Sequence, residues 1–343
     1  MKYYPRNRTI NVFQKKQAPL VAKVGHLNGD CLRTSMEEAV MLLGGFERAF
    51  RRGDRVLIKP NFNCAYAMPL STDLCFLGAA IEILLDLGAV VRVGEHTGGG
   101  DDWPPERIFR HLGVDRLLRR YGVPLIDFRK DDWLEMEVDG LYWDRFRVPR
   151  SIYQAEKRLY LANMRAHSSA RYTSSLKLSV GWLNTEDRRQ RLHEDRNRVE
   201  FRIADLNLGW QPDLVLTDGR RSTVGWHGRG EYVFPNVIMA SGDMVAIDTE
   251  AVKLLKSYPA ENHLQVPLSK IGQLVTAQEL GLGSMQYELR SAGPKLRTEE
   301  EGVVMMNGEE HKGILPLCNC LEDEIAASRA RRSDCRKMTS ETK

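Results

Sequence analysis

No uninterrupted apolar run in this chain approaches the roughly 20 residues needed to cross a bilayer, and residues 1–11 hold no apolar core of the secretory kind. The expectation that follows is a cytoplasmic protein without a membrane partner. Basic residues are barely in surplus. Lys+Arg number 50 against 46 Asp+Glu, and no basic stripe is interleaved with aromatics, which argues against nucleic acid as a partner. Cysteine is scarce: the six are scattered at 31, 64, 75, 318, 320 and 335 with no CxxC pair, so neither a disulfide framework nor a zinc-ribbon spacing is present and reduced thiols are expected. Only Cys318 and Cys320 stand close enough in sequence to chelate, and a site needs two further ligands. A Gly-x-Ser-x-Gly elbow and a His-Glu-x-x-His helix are also missing, which counts against the common serine-hydrolase and zinc-protease designs.

What is present is an ordinary globular composition, 42% apolar and 28% charged over 343 residues, long enough for one large domain or two lobes. Strand patterns at 20–24, 55–60, 90–94, 124–128, 159–162, 213–217, 236–241 and 286–290 are separated by helical ones. The helix at 34–46 opens with Thr34 and Glu37 in capping-box spacing, the helix at 72–87 aligns Leu74, Leu77, Ile81 and Leu84, and Pro104 and Pro105 suit the first turn of a helix reaching 121. Residues 185–206 read as one helix with Leu192, Val199, Ile203 and Leu206 inward. Its arginine-rich outer face alternates with acids, Asp187 with Arg191 and Glu194 with Arg198 at i,i+4, and reads as solvated rather than phosphate-binding. Asp243 caps a helix to about 258, and 269–280 is a shorter one. Asp139-Gly140, between strands at 133–138 and 141–148, has the signature of a two-residue type I′ hairpin. This order predicts an α/β fold, a mostly parallel, doubly wound (Rossmann-like) sheet with an inserted antiparallel β-hairpin. The segments expected are a loose basic arm (1–17), a first α/β lobe (18–150) with the hairpin insertion (133–148), a second lobe sharing the sheet or crevice (151–321), and a charged, disordered tail (322–343).

In such sheets ligands lie beyond the carboxyl ends of the strands. Asn61 and Asn63, Glu95 and His96, His167, and Asp218 each follow a strand, so parallel strands would bring them to one crevice; any one alone is explained as well by turn chemistry. The centre of this reading is the stretch 159–181, an apolar strand that delivers Arg165 and His167 and then a Ser/Thr-rich turn carrying Lys177. A charged connecting loop is the plainer alternative. Gly98, Gly99 and Gly100 precede a helix and leave backbone N–H groups for an anion, without dinucleotide-loop or P-loop order; a flexible turn is the alternative there. The loop at 225–230 offers Gly228 and Arg229 beside His227 in the same way. Asp248 shares a helix face with Ala251, Val252 and Leu255, so its carboxylate is expected to be buried against a cation such as Lys177, a backbone donor or a metal. His96, His167, His227 and Asp218 make a mixed nitrogen and oxygen set suited to a divalent metal, with no two at a recognised chelating interval.

The run VLIKPNFN at 56–63, Thr72-Asp73, VVRVGEH at 90–96, His167 with Thr173 and Lys177, LVLTDG at 214–219 and SGDMVAIDTEA at 241–251 together resemble the bacterial and archaeal family known as domain of unknown function 362. The resemblance covers roughly residues 20 to 290 and implies the fold and the crevice, not a reaction. Members of that family often carry cysteine-rich ferredoxin-like segments, which implies redox or iron–sulfur chemistry for them. This chain has only Cys318, Cys320 and Cys335 in its C-terminal region, so an intrinsic iron–sulfur cluster is not expected. Where the family has Lys-Thr-His this chain has Arg165-Ala166-His167, and Leu178 replaces the Asn after the later lysine; His167 and Lys177 carry over.

The first functional expectation is an enzyme acting on a small anionic substrate, redox or metal-assisted. His167 would be its acid/base, Asp218 and Asp248 would orient it or hold a metal, and Asn61, Arg165, Lys177 and the glycine turns would hold the anion. The alternative is a non-catalytic cofactor or metabolite carrier, or an assembly factor, using the same crevice. A protein-interaction module built on the hairpin and the basic tail is a third reading, and assembly into a homo-oligomer stays open.

Overall fold

The computed structural model describes residues 3–5, 10–27, 29–97, 103–225, 231–293 and 304–305. Nine strands form one sheet, in the order Gln14–Lys15, Ala18–Gly25, Val237–Ser241, Leu214–Gly219, Lys157–Asn163, Arg55–Lys59, Val90–Glu95 and Leu125–Asp127, with Glu288–Ala292 paired to Ala18–Gly25. From Leu214–Gly219 to Leu125–Asp127 every neighbouring pair is parallel, and Val237–Ser241 runs antiparallel to both of its neighbours. The inner strands Lys157–Asn163, Leu214–Gly219 and Val237–Ser241 are buried almost throughout, because both faces of the sheet are covered there. Leu159 and Leu161 enter the core beneath the helices Leu32–Met41 and Leu74–Asp86, whereas Tyr160 and Ala162 enter the opposite core with Met244–Lys256 and Gly272–Glu279. The expected mostly parallel, doubly wound sheet is therefore present. A third core, around Phe146, Trp182 and Trp210, lies under the hairpin Trp133–Glu137 and Arg145–Pro149. No helix among the described residues is long and apolar enough to cross a membrane.

Several local expectations change. The first helix starts at Leu32 with Cys31 as its N-cap, so Thr34 lies inside the helix and the capping box does not form; buried Leu32 belongs to the first turn instead. The helix expected from Pro104 to 121 is two, Pro105–Leu112 and Val114–Tyr121, broken where Gly113 adopts left-handed backbone (φ 82°). Asp73, by contrast, caps Leu74–Asp86 through Phe76 N at 3.1 Å, and Asp243 caps Met244–Lys256 through Ala246 N at 2.8 Å. The segment 185–206 is not one helix. It comprises Thr185–Asp187, a π-helical turn Arg188–Leu192, a 3₁₀ turn Arg196–Arg198 and the helix Val199–Leu206. Across the interruption the Arg202 guanidinium donates to the Arg191 carbonyl. Neither expected i,i+4 pair forms: Asp187 binds Arg147 at 3.0 Å, Arg191 binds Asp144 at 3.1 Å and Glu194 binds Arg202 at 3.2 Å.

The hairpin also departs from the two-residue turn. Glu137 pairs with Arg145, which leaves 138–144 as the connection, and Gly140 does not take the left-handed backbone of a type I′ turn. Tertiary contacts decide the loop. Buried Asp205 accepts hydrogen bonds from the backbone N–H of Tyr142 at 2.5 Å and Trp143 at 2.9 Å, and a Cβ on residue 140 would stand 2.4 Å from the same carboxylate oxygen. Glycine is needed there for close approach. Asp205→Ala strands two N–H donors against the core, and a loss of roughly 2–3 kcal/mol of unfolding free energy is expected. Urea denaturation followed by tryptophan fluorescence reads it, and an unchanged midpoint contradicts this role for Asp205.

Candidate functional site

The parallel strands Arg55–Lys59 and Val90–Glu95 lie side by side, and their last residues, Lys59 and Glu95, form an ion pair at 2.7 Å with each residue only 1% exposed. A buried pair of this kind is stable only when its remaining hydrogen-bonding capacity is filled. Here it is: Lys59 Nζ also donates to the Pro60 carbonyl at 2.7 Å, while Glu95 accepts from His96 N and Phe62 N, each at 2.7 Å. Burial lowers the Lys59 amine below its ordinary value, and the Glu95 carboxylate opposes that shift. Sequence reasoning singled out Glu95 and missed Lys59, although a lysine ending an apolar strand before Pro60 was a visible signal.

The residues expected at this edge divide into two groups. His96 is fully engaged. Its Nδ1 lies 2.9 Å from the Thr97 carbonyl, which can only accept, so Nδ1 carries the proton, and Nε2 is left to accept from Thr185 Oγ1 at 3.0 Å. Burial and the Arg188 charge push the imidazole down to about 3, so it stays neutral. Asn61 donates from its side chain to the Leu70 carbonyl at 3.1 Å and ties its loop to Thr72. Asp218 is at the same edge but is clasped by Arg220, with contacts of 3.0 and 2.7 Å, and Arg220 also binds Asp73 at 2.9 Å. The two-residue period of its strand sends Asp218 to the face of Leu214 and Leu216, toward the start of the helix Leu74–Asp86.

His167 feels the charge of Lys177, and the two are carried by a short hairpin, Arg165–His167 with Arg171–Thr173, that leads into the 3₁₀ segment Leu176–Trp182; Lys177 lines the cavity described below and His167 does not. Asp248 holds this hairpin from beneath. It is completely buried and accepts from Ser175 N at 2.9 Å, Ser175 Oγ at 2.7 Å, Leu176 N at 3.0 Å and Tyr172 OH at 3.2 Å. Burial raises its carboxyl above the ordinary value, and the Ser175 and Leu176 donors oppose the rise. Asp248 thus positions the turn before Lys177 through backbone and hydroxyl donors rather than through the amine itself.

His167 Nδ1 receives the backbone N–H groups of Ser169 at 3.3 Å and Ala170 at 3.2 Å, which places its proton on Nε2. Burial, Lys177 and Arg165 hold this imidazole well below its ordinary value. Among the described residues Lys177 has no hydrogen-bond or ion-pair partner, and burial together with the charges of Arg165 and Arg188 pushes its amine down to about 7. Arg188 was expected on a solvated helix face. It is instead buried, its guanidinium donates to the Val180 carbonyl, and burial pushes it down to about 10. Arg188 opens the π-helical turn, a distortion that often marks functional positions, and stands four residues before buried Leu192.

A cavity of about 30 Å³ lies among these groups, lined by Lys59, Asn61, Glu95, Arg165, Thr173 and Lys177 and closed by the segment 178–181. That is room for one water-sized group at its floor. The donor set does not fit a divalent metal: among the described residues no three His, Cys, Asp or Glu side chains gather, both His96 nitrogens are used, and Asp218 is taken by Arg220. The expected anion contacts at Gly98, Gly99, Gly100, Gly228 and Arg229, the metal candidate His227, and Cys318, Cys320 and Cys335 lie outside the described residues.

A model of the family described as domain of unknown function 362 matches residues 56–253, the span that holds Lys59, Glu95, His167, Lys177 and Asp248. Among curated proteins, a thylakoid-associated protein of Synechocystis sp. is 23% identical over 262 residues, covering 73% of this chain and 76% of that protein.

The depressed Lys177 amine has a consequence for stability. Between about 7 and its ordinary 10.5 the unfolded chain holds a proton on this lysine that the folded chain does not. The penalty for burying the charge is therefore complete below the lower value and fades as pH rises toward the upper one. Lys177→Met is expected to melt higher than the parent protein at pH 6.5, with the gap narrowing as pH rises. Thermal unfolding of both proteins across this range checks it, and a gap that does not change with pH contradicts the assignment.

Proposed function

The chain belongs to the domain of unknown function 362 family, and from that premise we propose that the crevice at the carboxyl ends of its parallel strands binds a small anionic molecule on which Lys177 performs proton transfer while His167 donates a hydrogen bond. The observation that carries this reading is the company Lys177 keeps: cationic Arg165 and Arg188 act on it, and no carboxylate of the described residues does. Glu95 is the carboxylate at the cavity wall, and its oxygens are already taken by Lys59 and two backbone N–H groups. Such a site attracts negative charge.

An amine near 7 exchanges its proton at neutral pH, which suits general acid/base work. His167, neutral with its proton on Nε2, offers a hydrogen bond to a developing oxyanion rather than a second charge. Asp248 is a positioning residue in this scheme, because it holds Ser175 and Leu176 and touches neither reacting group.

The test begins with small anionic metabolites screened for protection against thermal unfolding, followed by turnover assays on those that protect. His167→Ala and Lys177→Ala, each shown to be folded, are expected to lose turnover by about 10² or more. Full turnover in both variants sinks the catalytic assignment. A protein that binds the anion tightly and turns nothing over points to the carrier that the same crevice could serve.

A further inference from the structure

We propose that the anionic end of the ligand is a dianionic phosphoryl group, held jointly by Arg165, Lys177 and Arg188. This rests on the anion-binding reading of the crevice and narrows it to one ligand chemistry.

Charge is the first argument. Lys59, Arg165 and Lys177 line the cavity, Arg188 stands behind its wall, where it donates to the Val180 carbonyl and acts on Lys59 and Lys177, and Glu95 is the carboxylate that acts on Lys59 and Arg188. A single carboxylate ligand would leave much of that charge repelling itself in a poorly solvated place, whereas a dianion answers more of it. Donor chemistry is the second. Lys177 Nζ is unpartnered among the described residues, and Arg188 Nε and Thr173 Oγ1 are buried without a partner. Every one of these can donate, and a phosphoryl group presents three terminal oxygens that only accept. Arg188 is the least dispensable of them, since its charge reaches His96, Lys59, Lys177 and His193 alike.

Shape agrees. The floor of the cavity takes a single compact group, and exposed His193, outside the lining, feels the charges of Lys177 and Arg188. A phosphoryl oxygen would enter the floor while the rest of the molecule stays toward the rim. Because the bound dianion favours the charged amine, binding above neutral pH takes up a proton at Lys177.

The experiment is isothermal titration calorimetry of the full chain at pH 8, in two buffers of different ionisation enthalpy, with inorganic phosphate, glycerol 2-phosphate and acetate as separate ligands. Phosphate or its monoester is expected to bind at least about ten-fold tighter than acetate, with net uptake of protons. The monoester arm separates the sources: tight monoester binding assigns a phosphate ester, and binding of inorganic phosphate alone assigns the free ion. Arg188→Gln is expected to remove the preference, weakening phosphate by at least about ten-fold and acetate by distinctly less. Acetate binding as tightly as phosphate, both weakened by Lys177→Ala, overturns the phosphoryl assignment while the anion site stands. Absence of binding by all three ligands removes the anion site itself and this inference with it. Should Arg188→Gln fail to fold, the parent protein decides, because phosphate binding without proton uptake contradicts the role given to Lys177.

Discussion

The buried Lys59–Glu95 pair is the interaction on which the site depends. It joins the ends of two adjacent parallel strands, and Glu95 then fixes the two loops that leave them through Phe62 N and His96 N. The segment 176–182 packs directly against the pair, and a Cβ on Gly181 would stand 2.5 Å from Lys59 Nζ. One ion pair therefore sets the positions of three loops. It also fixes the electrostatics, since it occupies the carboxylate that would otherwise offset Lys177.

A second anchor lies on the helix Met244–Lys256. Asp248 gathers Ser175, Leu176 and Tyr172 at the base of the turn that presents Lys177, and it is itself rigid because it sits on a helix buried against the sheet. Between the two anchors, the amine is held where it finds cations and no acid of the described residues. Such an arrangement stores unfavourable energy that a more stable protein would shed, and retaining it is the pattern expected of a functional site.

Much of this was legible in the sequence, and the reasons differ by residue. The apolar runs ending in Lys59, Glu95, Asn163 and Asp218 gave away parallel strands because a sheet covered on both faces leaves no alternation to misread. Asp243 was readable as a cap from its position, Asp73 was not singled out as one, and Thr34 was misread because burial of Leu32 draws the helix start forward. Arg188 was overlooked although it stands four residues before inward-facing Leu192 and so shares its helix face; the acids alternating with the arginines suggested a solvated surface instead. Asp248 was rightly expected to be buried, but its partners are backbone and hydroxyl donors spread over residues 172–176, which no spacing rule can point to. The hairpin loop at 138–144 follows Asp205, 62 residues from Trp143, for the same reason.

The central claim is that the crevice keeps Lys177 as a strained, partner-poor amine ready for an anion. Competitive acetylation of the folded protein across pH, with each lysine quantified by peptide mass spectrometry, tests it most directly. The account predicts that Lys177 labels with a midpoint near about 7, far below the exposed lysines, and that phosphate moves the midpoint upward. A midpoint at the ordinary value of 10.5, unmoved by phosphate, would contradict it.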